Sequence, residues 1–262
     1  MQEIRVASWT ELNERLFEDL WREQLGRHRS NAAYRGRASA AEWLDTSLQR
    51  LGGDPDALEE PLLRSFRRYA RRSDVPYDST WNWLALARHH GLPTRLLDWT
   101  HSPYVALHFA TSALDRYNED GVVWTLDYVR AHELLPAPLQ EVVRDEGANV
   151  FTAEMIDRVA RRRSELDHLA EDDDFVLFLE PPSFDDRIVN QYALFSLMSS
   201  ARASLDQWCE QHSDLVRRIV IPAELKWEVR DKLDQANVTE RVLFPGLDGL
   251  SRWLRRYYLP RG

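Results

Sequence analysis

Apolar residues recur at helical spacing in several stretches of the chain. Trp9, Leu12, Leu16, Leu20 and Trp21 mark one face of a helix over residues 8–25, with Ser8 or Thr10 as its N-cap. A short apolar run closed by glycine, residues 32–36, reads as the end of a strand, and residues 40–51 read as a helix stopped by Gly52-Gly53. Leu58, Leu62, Leu63, Phe66 and Tyr69 define a helix over residues 57–72. Another, over residues 80–90, is stopped by Gly91 and by Pro93 just beyond. Pro103 opens a helix over residues 102–117 from its first turn. Strands are expected over residues 121–126, 175–179, 187–197, 215–221 and 241–244, the second of them continuously apolar and so buried. Residues 131–168 read as mostly helical, residues 171–174 as an acidic turn and residues 223–236 as a helix. A last helix follows the turn at Gly246-Leu247-Asp248-Gly249 and runs through Tyr257.

Strands and helices therefore alternate without a βαβ period, and no Gly-rich phosphate loop is present. The pattern fits an α+β fold: a mostly antiparallel β-sheet core, continuous or split, with peripheral helices. No internal repeat interrupts it. The division expected is an N-terminal helical segment over residues 1–30 and one globular unit over residues 31–262.

Composition narrows the function classes. The 262 residues are 44% hydrophobic and 29% charged, which is ordinary for a globular protein. Residues 1–12 are polar, and no apolar run is long enough to cross a bilayer. Cys209 is the single cysteine, so neither a disulfide framework nor a Cys-based zinc site can form within the sequence. A cytoplasmic protein without membrane contact is the expectation. Net charge −9 argues against stable nucleic-acid binding, which usually shows the opposite balance. The cations are almost all arginine, since Lys226 and Lys232 are the only lysines. Arginine holds phosphate bidentately better than lysine does, so a local phosphate site is compatible with an acidic whole.

The densest polar cluster is the stretch Arg88-His89-His90-Gly91-Leu92-Pro93-Thr94-Arg95-Leu96-Leu97-Asp98-Trp99-Thr100-His101-Ser102-Pro103. Buried polar groups must find partners, so Asp98 is expected to pair with Arg95 or to accept backbone N–H bonds from the following helix. Adjacent His89 and His90 point about 100° apart on a helix and cannot ligate one metal from the same face. No metal site is expected.

This stretch resembles the FRG domain family, named for a Phe-Arg-Gly motif. Tyr34-Arg35-Gly36 matches that motif with Tyr in place of Phe. Trp43-Leu44, Ser47-Leu48 and Arg50 follow, then the central run from Leu84 to Ala110. Arg187-Ile188 with Gln191, and Leu243-Phe244-Pro245 with Leu247-Asp248-Gly249, look like later pieces of the same family. The likeness spans about residues 33–250, with one departure: Tyr192 stands where the family commonly places a glycine.

A weaker resemblance is to the ADP-ribosyltransferase fold of the Arg-Ser-Glu type. There an aromatic-Arg pair ends a strand and holds NAD, a hydroxyl-bearing strand leads into a Val-Ala-x-x-Phe-Ala helix, and a late strand supplies a Glu. Tyr34-Arg35, the segment Thr100-His101-Ser102 and the run Val105-Ala106-Leu107-His108-Phe109-Ala110 follow that order. The likeness implies NAD as co-substrate, held by Tyr34, Arg35, Gly36, Arg95, Asp98, Thr100 and Ser102. It implies Gln191, Glu180 and His90 as the catalytic candidates. A guanidinium clamps phosphate, and a carboxylate near the ribose stabilises an oxocarbenium-like transition state. Arg35 has a second reading, a buried strut paired with Asp98.

The functional expectation is an NAD-using ADP-ribosyltransferase-like enzyme or NAD glycohydrolase, such as a bacterial toxin or phage-defence effector, with a protein target or neutralising partner. The alternative is a non-catalytic nucleotide-binding or protein-interaction module on the same scaffold. A catalytic carboxylate facing the pocket separates the two.

Overall fold

Seven strands form the main sheet: β1 (Gln2–Arg5), β2 (Ala32–Arg37), β3 (Leu96–Thr100), β4 (Gly121–Asp127), β5 (Val176–Leu179), β6 (Ala193–Met198) and β7 (Val216–Ile221). The computed structural model describes residues 1–170 and 173–260. The expected acidic turn at 171–174 falls partly outside the described residues. Strand order is β1-β7-β4-β2-β3-β6-β5. Every pair is antiparallel except β1 with β7, which makes the sheet mixed rather than purely antiparallel. The molecule is α+β, as the irregular alternation of elements implied.

The sheet is not continuous in the middle. β2 pairs with β4 over six residues, but it meets β3 at one register pair, Tyr34 with Thr100. Beyond that pair β2 and β3 part company, and a cavity occupies the opening. Alternation along β2 sorts its side chains. Tyr34 packs into a core cluster with Leu12, Leu16, Ala106, Leu107 and Ala110, while Arg35 leaves on the opposite face. Gly36 shares the Tyr34 face, where α4 (Pro103–Thr111) presses onto the strand. A Cβ at Gly36 would lie 1.8 Å from the Ala106 carbonyl oxygen and 2.7 Å from the Ala110 nitrogen. The glycine is there for close approach of two backbones.

Several elements differ from the sequence expectation, each for a local reason. The first helix, α1 (Trp9–Leu16), ends early because Phe17 caps it and Asp19 takes a left-handed φ of 60°. Residues 1–30 are not simply helical, since β1 joins the main sheet and Trp21–Arg22 pairs with Arg27–His28 in a small ladder. Residues 40–51 form no α-helix. Side chains compete for that backbone: Thr46 and Gln49 bond each other's N–H groups, the Gln49 amide donates to the Ala201 and Ala203 carbonyls, and Leu44 N–H donates to Asp206. Helices α2 (Pro55–Tyr69) and α3 (Thr80–His89) form as expected.

The expected strand over 187–197 is a helix followed by a strand. Asp185 accepts from Arg187 N–H and Ile188 N–H and starts helix α5 (Asp186–Asn190), which Gln191 caps. Tyr192 then adopts a φ of 48° and redirects the chain into β6. That left-handed position explains why a glycine suits the place, and the exposed tyrosine carries the strain. Residues 241–244 are likewise helical rather than a strand. After α6 (Lys226–Gln235), α7 (Glu240–Leu243) is held to α8 (Leu247–Tyr257) by Arg256, which bonds both Glu240 and Asp234. No helix among the described residues is long and apolar enough to cross a membrane.

Candidate functional site

The opening between β2 and β3 is a cavity of about 760 Å³. Its wall takes residues 34–37 from β2 and Ala38 just after it, Asp98-Trp99-Thr100 from β3, Arg88 and His89 from the end of α3 with His90 and Gly91 following, Phe109 from α4, and Arg187, Ile188 and Gln191 from α5 and its cap. Arg35, Arg37, Arg50, Arg88, Arg116 and Arg187 all line it, against Glu42 and Asp98. Six guanidinium groups against two carboxylates leave a formal excess of four positive charges. The chain as a whole carries −9. The cavity is thus an electropositive hole in an acidic protein, a place that concentrates anions.

The charges are not equivalent. Glu42 is held by Arg37 Nε at 2.6 Å and by Arg116. Arg88 grips Asp98 bidentately, with Nε 3.0 Å from Oδ1 and NH2 on Oδ2, while its NH1 donates to Ser47 Oγ at 2.8 Å. Although burial works the other way, the Arg88 guanidinium holds the Asp98 carboxyl below the usual carboxylate range, with Arg35 assisting. Arg35 is buried at 9% exposure, donates NH1 to the Asp98 carbonyl oxygen, and stands 3.9 Å from the Asp98 carboxylate. Its Nε is buried with no hydrogen-bond partner. Burial pushes Arg35 down to about 9, and the nearby Asp98 only partly opposes this. Arg187 has no carboxylate within salt-bridge distance among the described residues and lies 4.9 Å over the Phe244 ring.

Of the residues singled out from the sequence, Tyr34, Arg35, Gly36, His90, Asp98, Thr100 and Gln191 line this cavity. Several of their polar atoms are already used. The Tyr34 hydroxyl bonds Ser30 and the Leu16 carbonyl. Thr100 Oγ1 donates to the Gln191 carbonyl at 2.7 Å and accepts from Ser102 N–H. The Gln191 amide donates to the Leu243 carbonyl at 2.8 Å, so it ties α5 to α7.

Ser102, Arg95 and Glu180 do not line the cavity. Ser102 caps α4, accepting from Val105 N–H. Arg95 does not pair with Asp98, contrary to the expectation from the sequence. It is 2% exposed and bonds Glu59 and Asp167 at 2.7 and 2.6 Å, through its Nε and NH1. Glu180 is half-exposed and sits 3.3 Å from His101 Nε2, and that neighbour holds it below the usual carboxylate range.

Arg50, Arg88 and Arg187 stand in the family-like pieces of the sequence, which assign them no role. Arg37 directly follows Tyr34-Arg35-Gly36 and Phe109 lies in the Val105 to Ala110 run, whereas Glu42 and Arg116 carry no local signal of a site. His89, set aside as a metal ligand, bonds Asp185 Oδ2 at 2.7 Å and so links α3 to the cap of α5.

The loop that carries Glu42, Ser47 and Arg50 is anchored by Asp206, whose Oδ2 accepts from Leu44 N–H at 2.7 Å while Oδ1 has no partner. Burial pushes the Asp206 carboxyl up to about 6, only partly offset by the Leu44 bond. The folded value lies above the ordinary 3.8, so this group stabilises the fold only at low pH, and that contribution is lost as pH rises through about 6. Asp206→Asn keeps the acceptor for Leu44 and removes the charge. It is expected to gain on the order of 2 kcal/mol at neutral pH and nothing near pH 4. Thermal melts of both proteins at the two pH values check this, and an unchanged melting temperature at neutral pH would contradict it.

The family model of the FRG domain matches residues 30–119. The matched span contains β2, α3, β3 and α4, and hence Arg35, Arg88 and Asp98. The later family-like pieces lie beyond it, yet Arg187 and Gln191 reach the same cavity. Comparison with curated proteins and with solved structures returned no match.

Proposed function

The chain carries an FRG domain, and we propose that its arginine-lined cavity binds a phosphorylated nucleotide of the NAD or ADP-ribose type. One observation carries this reading. Arg35 is a buried guanidinium with an unpartnered Nε, and the nearest carboxylate is already gripped by Arg88. A buried charge that is incompletely paired inside an open cavity is costly unless an anion completes it. Phosphate supplies both the charge and the oxygen lone pairs that a guanidinium fork accepts. The volume lies in the range of cofactor pockets, and Phe109 and Phe195 give it apolar wall for a base.

The binding module is the first reading, because both carboxylates in the cavity wall are held by arginine and Glu180 lies elsewhere. The second reading is an ADP-ribosyltransferase-like enzyme, such as a toxin or phage-defence effector acting on a protein target. Its support is that His90 and Gln191 border the cavity behind the same Tyr-Arg strand. Calorimetric titration with NAD and with ADP-ribose, paired with an assay of nicotinamide release from NAD, separates the readings. Saturable binding without release is expected. Steady release that His90→Ala abolishes would favour the enzyme, and failure of both ligands to bind would end the nucleotide reading.

A further inference from the structure

The cavity contains one feature that a simple phosphate trap would not need. Asp98 sits among its arginines, beside the residue proposed to hold phosphate. Glu42, the other acid, is 24% exposed and clasped by two arginines from β2 and the end of the α4 connection. Asp98 is different. Its side chain is 47% exposed, although β3 carries it between buried Leu97 and Trp99. The exposed surface faces the opening that it lines.

A carboxylate has about four lone-pair sites. Arg88 takes one on each oxygen, through Nε on Oδ1 and NH2 on Oδ2. Arg35 does not take another: its NH1 is 3.9 Å from Oδ2, beyond hydrogen-bond distance, and donates instead to the Asp98 carbonyl. Two acceptor sites therefore remain open toward the cavity. They lie within one side-chain width of the guanidinium whose Nε is unpartnered.

Resting on the phosphate reading of Arg35, we infer that Asp98 is a specificity-determining residue, which selects a sugar phosphate whose vicinal hydroxyls donate to its carboxylate. A bare phosphate or pyrophosphate offers the arginines charge but presents only oxygens to Asp98, and like charges repel there. A ribose diol offers two O–H donors a short distance from its phosphate. Arg35 then meets the phosphate and Asp98 the diol. A site built to bond a hydroxyl discriminates strongly against the analogue that lacks it, because its polar group is left unpaired.

The prediction has opposite signs for two ligands, which an ordinary structural role would not produce. Asp98→Ala removes an acceptor and also removes negative charge from an arginine cluster. Affinity for inorganic pyrophosphate should rise, by roughly 3-fold or more, while affinity for ADP-ribose should fall by roughly 10-fold or more. In the wild-type protein, ADP should bind at least about 10-fold more tightly than its 2′,3′-dideoxy analogue. Calorimetric titration gives all four constants, and circular dichroism confirms that the variant is folded. If Asp98→Ala tightens both ligands, Asp98 is only a counter-ion and the inference falls. If the variant binds neither or does not fold, the wild-type comparison decides: equal affinity for ADP and its dideoxy analogue overturns the inference, and a 10-fold preference sustains it. Failure of the phosphate reading looks different, since wild type would then bind neither pyrophosphate nor ADP.

Discussion

Arg35→Met is expected to weaken binding of NAD and ADP-ribose by at least about 100-fold, since two charge-assisted hydrogen bonds at roughly 1.5 kcal/mol or more each would be lost. It should leave the fold as stable as before, or more so. Folding works against the Arg35 charge: burial pushes the group down to about 9, and Asp98 recovers only part of that. A base whose folded value is depressed costs stability at every pH below that value, and the cost fades only as pH rises through about 9. Methionine fills similar space and carries no charge. The Asp98 carboxylate does not become an orphan in the variant, because Arg88 keeps its bidentate grip, and the bond lost is that of Arg35 NH1 to the Asp98 carbonyl. Loss of a group at a binding site with a gain in stability is the usual mark of a residue retained for function. Titration of the variant with ADP-ribose and a thermal melt beside wild type give both numbers. Unfolding of Arg35→Met would instead identify Arg35 as a strut between β2 and β3, and binding within a few-fold of wild type would remove it from the site.

Glu59→Ala should act in the opposite way, costing about 3–5 kcal/mol of stability while leaving the ligand affinity of the folded protein unchanged. Glu59 is 1% exposed on α2. It accepts from Arg95 N–H, from Arg95 Nε at 2.7 Å and from Arg163 NH1 at 2.6 Å. Burial disfavours the Arg95 charge, yet Glu59 and Asp167 together raise that group above its ordinary value. Without Glu59, two guanidiniums share what remains, with Asp167 on one and Glu60 on the other. None of Glu59, Arg95 or Arg163 lines the arginine-rich cavity. Urea unfolding followed by fluorescence of the ten tryptophans measures the loss. A decrease below about 1 kcal/mol would show that the network is screened and worth no more than a surface ion pair.

These two residues show where local sequence stops being informative. Arg95 and Arg88 both stand near Asp98 in a single polar run, and spacing alone pairs Asp98 with the nearer one. Tertiary contacts decide otherwise. Arg95 lies just before β3 and is taken by Glu59 of α2 and by Asp167, while Arg88 reaches Asp98 from the end of α3. Gln191 tells the same story. An apolar alternation suggested a strand, but the Asp185 cap and the left-handed Tyr192 make a helix there and turn the Gln191 amide toward Leu243.

What the sequence determined by itself was whatever depends on short-range pattern: the α+β alternation, the helices α2 and α3, the buried strand β5, and the dense polar run around Asp98, which lines one cavity with Tyr34-Arg35-Gly36. The elements follow from periodicity and glycine placement, the run around Asp98 from the density of polar groups among apolar ones, and Tyr34-Arg35-Gly36 from its resemblance to the family motif. The tertiary structure alone decided the rest. Arg37 of β2, Glu42 and Arg50 of the loop after it, Arg116 beyond α4 and Arg187 of α5 are far apart in the chain, and only the parting of β2 from β3 beyond Tyr34 and Thr100 brings them to one cavity. Charge excess at a site is a sum over residues distant in the chain. An acidic sequence therefore gives no hint of it, and long-range strand pairing must form before it exists.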